Sequence, residues 1–183
     1  MANYIGYCIT PRISSDHFAK VLVPAGGLVA GQVVNCISLA STVAGVSTNY
    51  EVYTATRPTT ATLDSNNYAL IVNGGFETMT DGRRPAGQPD YTQYTYEEAD
   101  VADAIFLDRH LVYEIGVASI SGASVTPTSD IGKYIVPADG TYTMALSSTA
   151  TAGGCVKILG VRNFANGGNY GGNFVTTYIC VAL

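Results

Sequence analysis

The sequence predicts an all-β protein, built as a β-barrel or a β-sandwich and carrying one short helix around residues 96–108. Three observations predict it. Short runs rich in Val, Ile, Tyr and Thr recur along the 183 residues and are broken by Gly, Pro and Asn, the composition of strands and the turns between them. The stretch TYTMALSS alternates, with Tyr142, Met144 and Leu146 on one face and Thr141, Thr143 and Ala145 on the other, the period of a half-buried strand. The stretch FVTTYICVAL is apolar on both faces near its end, as a strand buried between layers is.

Taken in order, KVLV and LVAGQVVNCI place strands at 19–23 and 28–37, divided by Pro24 and the pair Gly26-Gly27. YEVYTA and YALIV place strands at 50–55 and 68–72. The helix rests on Thr95 followed by Glu98, the spacing of a capping box, with Glu97, Glu98 and Asp100 in a first turn whose dipole favours acids. Val101, Ile105 and Asp108 follow at helical spacing, although 105–107 could instead begin a strand. Further strands are expected at 111–120, 134–136, 141–147, 156–163 and 174–181.

The segment KVLVPAGG, residues 20–27, is echoed by KYIVPADG, residues 133–140. Each puts a Pro after an extended residue and a Gly where positive φ costs nothing. The echo is read as one kind of turn built twice, with a true internal repeat as the alternative. Two loops stand out: TDGRRPAGQPD, residues 80–90, around the adjacent pair Arg83-Arg84, and the Gly/Asn tract NFANGGNYGGNF, residues 163–174. The latter lacks the strand–Gly–helix context of a phosphate or dinucleotide loop.

Apolar residues make up 47% of the chain and charged residues 13%, about half the roughly 25% usual for soluble domains. The net charge of −5 is uneven: residues 51–114 hold eleven acids and four bases, and the flanks three acids and five bases. This balance disfavours nucleic acid, which requires a basic face. One β-rich domain spanning 1–183 is expected, its charge-poor flanks pairing and 51–114 forming an acidic excursion. The alternative is two small β domains, 1–85 and 95–183. The opening MANYIGYCIT lacks the basic and apolar regions of a signal peptide. Residues 21–50 are uncharged but studded with Pro, Gly and polar residues, so strands and turns are expected rather than a membrane span.

The cysteines Cys8, Cys36, Cys155 and Cys180 show no C-x-x-C spacing and sit in apolar or alternating segments. They read as buried thiols rather than metal ligands, with disulfides in an oxidising medium left open. His17 and His110 have no metal-binding spacing, and no nucleophile motif is present. No cofactor, metal or catalytic residue is expected. Glu97, Glu98, Asp100, Asp103 and Asp108 could supply an acid/base pair or a calcium site, but clustered acids are more often a solvated face.

Three stretches together carry a resemblance: KVLVPAGGLVAGQVVNCISL, YALIVNGGFETMTDGRRPAGQPDY and ADAIFLDRHLVYEIGV. In a charge-poor β protein they resemble the auxiliary head proteins of tailed bacteriophages, the capsid decoration and head-fibre base type. The resemblance spans residues 15–120 in style. It implies a β fold without catalytic residues, docked on the outer head surface of a virion after assembly in the host cytoplasm. The implied partners are the major capsid protein and neighbouring copies of the chain itself, with no nucleic acid and no membrane. The N-terminal arm up to Arg12 and the loop bearing Arg83 and Arg84 are the expected capsid contacts, because Arg pairs bidentately with carboxylates. Two other readings compete. One is a β-sandwich adhesin or carbohydrate-binding module with an exposed tyrosine row, for example Tyr91, Tyr94 and Tyr96. The other is a glycosidase using the 97–108 carboxylates.

Overall fold

The computed structural model describes residues 6–9, 17–41, 52–59, 67–72, 95–150, 153–165 and 174–183. Their strands are β1 (Gly6–Cys8), β2 (Phe18–Leu22), β3 (Leu28–Val29), β4 (Val33–Asn35), β5 (Val52–Thr54), β6 (Tyr68–Ile71) and β7 (Thr95–Tyr96). The chain continues with β8 (Val101–Phe106), β9 (Val112–Gly116), β10 (Ile120–Ser121), β11 (Tyr134–Pro137), β12 (Met144–Ser147), β13 (Val156–Ala165) and β14 (Phe174–Ala182). Short 3-10 turns occupy Val117–Ser119 and Pro127–Asp130. The protein is all-β, as its sequence predicts.

One sheet runs β4-β6-β8-β2-β5, and its two edges meet. The chain beyond β4 bridges back to the region of β5 at Asn35 with Thr56 and at Leu39 with Tyr53. Backbone bonds from Ala40 N–H to Val52 O and from Thr54 N–H to Ser38 O, both 2.8 Å, complete the seam. The curled sheet encloses a small core that includes Ala19, Val21, Val34, Ala69, Ala102 and Ala104. Alanines recur on the inner face beside Val21, Val34 and Ile71, as the small interior of a tightly curled sheet favours. The two-stranded ribbon β3–β7 adds Leu28 and Tyr96 to this core.

The second sheet runs β1-β9-β14-β13-β11-β12-β10, antiparallel except for the β10–β12 pair. Its inner face carries Tyr113, Ile115, Ile135, Met144, Ile158 and Tyr178, which pack against Val33, Tyr68, Leu70 and Ile105 from the outer wall of the curled sheet. Strands β4 and β6 are therefore buried on both faces. This main core lies between the sheets and is crossed by polar ties. The Tyr113 hydroxyl donates to Phe106 O at 2.6 Å and accepts from Asp108 N–H at 3.0 Å, and the Ser119 hydroxyl donates to Ala30 O at 3.0 Å.

A β-bulge on β13 sets which residues face this core. Ile158 pairs with Cys180, but Gly160, not Leu159, pairs with Ile179. The extra residue reverses the alternation. Val161 consequently packs on the core like Ile158, while Leu159 is left exposed.

Two expectations are corrected. Residues 96–108 form no helix. Thr95 pairs with Val29 in the β3–β7 ribbon, Asp100 accepts the Glu97 N–H at 2.9 Å in a tight turn, and Val101–Phe106 is a strand. The acids stabilise that turn rather than a helix dipole. The pairing of the flanks also differs: β2 and β4 pair with β5, β6 and β8 from the acidic segment, and among the described residues of the first flank only β1 enters the sheet that contains β11 to β14.

The echoed segments both end in turns with a left-handed Gly third, but one residue out of phase. The first turn is closed by Gly27 N–H to Pro24 O at 3.1 Å with Gly26 at φ 96°. The second is closed by Thr141 N–H to Ala138 O at 3.4 Å with Gly140 at φ 70°. The second turn docks the sheets together, because Gly140 N–H donates to Pro58 O at 2.7 Å.

Candidate interaction surface

Two carboxylates are buried among the described residues. Asp130 is fully buried at the end of the Pro127–Asp130 turn. It accepts hydrogen bonds from Ser124 N–H at 2.9 Å, the Ser124 hydroxyl at 2.6 Å, the Lys133 ammonium at 2.8 Å and the Tyr178 hydroxyl at 2.5 Å. Burial pushes its carboxyl up, but these donors outweigh burial and hold it well below the usual carboxylate range. Burial, with the same contact second, pushes the Tyr178 hydroxyl far up. An acid held ionised and a phenol held protonated cannot exchange a proton near neutrality, so the group is a brace tying the 121–133 loop to β14.

Glu114 is the second buried carboxylate. On the outer face of the seven-stranded sheet it receives both Arg162 Nε, at 3.1 Å, and the Arg162 terminal nitrogen, with the Thr177 hydroxyl donating at 2.5 Å. Three adjacent strands, β9, β14 and β13, are laced by this cluster, and Arg162 sits directly opposite Thr177. Sequence reasoning missed both networks. The available signal was a lone Glu inside the apolar run LVYEIGV, where an unpaired charge would be too costly to keep.

The acidic segment does not assemble into a reaction centre. Asp103 pairs with Lys20, Asp108 with His17, and Asp100 serves its turn. Among the described residues no group of three potential metal ligands comes together. Tyr96, one of the proposed stacking tyrosines, is buried with its hydroxyl donating to Val72 O at 3.2 Å. It is therefore not part of an exposed row, and Tyr91 and Tyr94 lie outside the described residues. Arg12, Arg83 and Arg84 also lie outside them. Of the N-terminal arm, Gly6–Cys8 is an edge strand paired with β9. Among the described residues no helix is long and apolar enough to cross a membrane.

The cysteines are free, with Cys36, Cys155 and Cys180 buried and Cys8 half-buried. Burial pushes the Cys36 thiol up to about 12 and the Cys180 thiol higher still, so neither forms the reactive thiolate near neutrality. In the native protein a thiol reagent is expected to modify Cys8 first, and all four cysteines only in denaturant. Equal rates for two or more in the native state would contradict this burial.

What the surface offers instead is apolar. Phe18 is 54% exposed, Ile37 56%, Leu159 51% and Val125 fully exposed. Val125 and Ile131 lie on the loop that Asp130 braces from below, so they are presented on an anchored segment. No family model, no curated protein and no solved structure matches this chain.

Proposed function

We propose that this protein is a virion structural protein that decorates an icosahedral phage head and stabilises it by binding the major capsid protein and neighbouring copies of itself. The observation that supports the reading most is a charge-poor β framework whose two buried carboxylates among the described residues are both spent on bracing, while large apolar side chains stand exposed. Such side chains carry little risk on a protein held among neighbours in a lattice. Contacts repeated by symmetry add avidity without strong single contacts.

The test is co-sedimentation of the purified protein with phage particles that lack it. Saturable binding at a fixed ratio to the major capsid protein, with higher particle heat resistance, is expected. Absence of binding from a well-folded preparation would refute the proposal and turn attention to glycan screens.

A further inference from the structure

Along β9, β14, β13, β11 and β12 the register places Val112, Val181, Lys157, Tyr134 and Ser147 opposite one another in a single row. The row lies on the outer face, since the alternate residues Tyr113, Cys180, Ile158 and Ile135 belong to the main core. Ile179 stands in the next row, and Val136 opposes Ala145. These apolar side chains are half-buried and belong to neither core. The outer face of an antiparallel sheet is normally polar; this one carries an aliphatic band of Val112, Val181, Ile179, Val136 and Ala145 beside its Glu114–Arg162–Thr177 cluster.

Gly160, opposite Ile179, sharpens the point. It is not among the residues of positive φ, and a Cβ built there would meet nothing within 4 Å. Neither its own backbone nor its neighbours in the fold require glycine. It sits at the β13 bulge, a common setting for a strand glycine, and the open space above it leaves this part of the outer face clear for close approach by another chain.

Charge identifies the occupant. Arg162 is neutralised by Glu114, which leaves Lys157 as a cation set between Val181 and Tyr134 without an ion-pair partner among the described residues. A second copy meeting this face with the same face would, among the described residues, offer Lys157 only Glu114, a carboxylate already held by Arg162. The complementary charge stands elsewhere on the chain, in the exposed turn after β7, where Glu97 and Glu98 have no basic partner among the described residues.

We propose that the outer face of the seven-stranded sheet docks the acidic 97–98 turn of a second copy of this chain, in a head-to-tail contact. Such an interface is heterologous and builds rings or open chains rather than a two-fold dimer. Five strands at about 4.8 Å spacing give a face roughly 20 Å across, so a patch of that width covers about 400 Å², half of the ~800 Å² per partner of a standard interface. Association is therefore weak for one contact. The proposal gives a geometry to the self-association in the proposed function but rests on the sheet face alone, so its failure would leave capsid binding to the co-sedimentation test.

Sedimentation of the purified chain from about 1 μM to about 1 mM tests it, with Tm recorded for each variant as a folding control. Concentration-dependent association beyond the dimer is expected. Lys157→Glu and the pair Glu97→Lys, Glu98→Lys should each weaken it by about three- to tenfold, and all three changes together should restore it. Gly160→Leu should leave Tm unchanged and weaken association. A chain monomeric throughout, association indifferent to the turn variants, or Gly160→Leu without effect would each overturn the proposal.

Discussion

Replacing Asp130 by alanine is expected to destabilise the fold by about 3–5 kcal/mol, a fall in Tm of about 10 °C for a chain of this size. The loss exceeds that of an ordinary ion pair because the Tyr178 hydroxyl and the Ser124 N–H, both aimed at the carboxylate, would lose their acceptor within the protein. Lys133 matters less, since it is partly exposed and water can replace its partner. The pH dependence has a definite sign. The folded carboxyl titrates below its unfolded value, so its contribution is complete above about pH 4 and fades as pH falls towards the lower folded value. Chemical denaturation of both proteins at neutral and at acid pH measures this. A gap that stayed constant down to low pH would mean that Asp130 does not act as a carboxylate.

Gly154→Ala is expected to cost about 2–4 kcal/mol, the sum of two independent penalties. The residue sits at φ 57°, where a side chain strains the backbone, and its Cβ would lie 2.7 Å from the Tyr68 ring and 3.1 Å from Pro137. Tyr68 is wedged between the two sheets and has nowhere to swing. Gly160→Ala is the matching control, with an ordinary φ and open space, and it should leave monomer stability within about 0.5 kcal/mol of the parent. Thermal melts of the two variants side by side decide the matter: similar losses would mean that the glycines are interchangeable and that the Tyr68 contact is not tight.

Most strands were legible because their inward positions hold Val, Ile and Tyr, as in YALI and FVTTYICV. Residues 101–106 were not, for a physical reason. The closed sheet requires small inward side chains, so Ala102 and Ala104 occupy positions where a strand signal would show a branched residue. Alanine is the strongest helix former, and with Thr95 and Glu98 nearby the local pattern imitated a capped helix. The division between the sheets was hidden too, because pairing β4 with β6 and β14 with β9 depends on contacts far apart in the chain. The buried carboxylates were visible as residues but not as braces, since their donors come from other strands and from a loop. The apolar outer face depends on register and on the β13 bulge, and neither is written in any one segment.

The order in which the strands appear during synthesis has a consequence of its own. Every strand of the curled sheet has been made once Phe106 is added, but β14, the strand joining β9 to β13, ends only at Ala182. At about 5–20 residues per second, the wall formed by Val33, Tyr68, Leu70 and Ile105 waits about 4–15 s for the layer that covers it. The nascent chain therefore passes through a stage with a finished small barrel and a bare greasy flank. In that interval the uncovered wall is the surface through which nascent chains would associate wrongly.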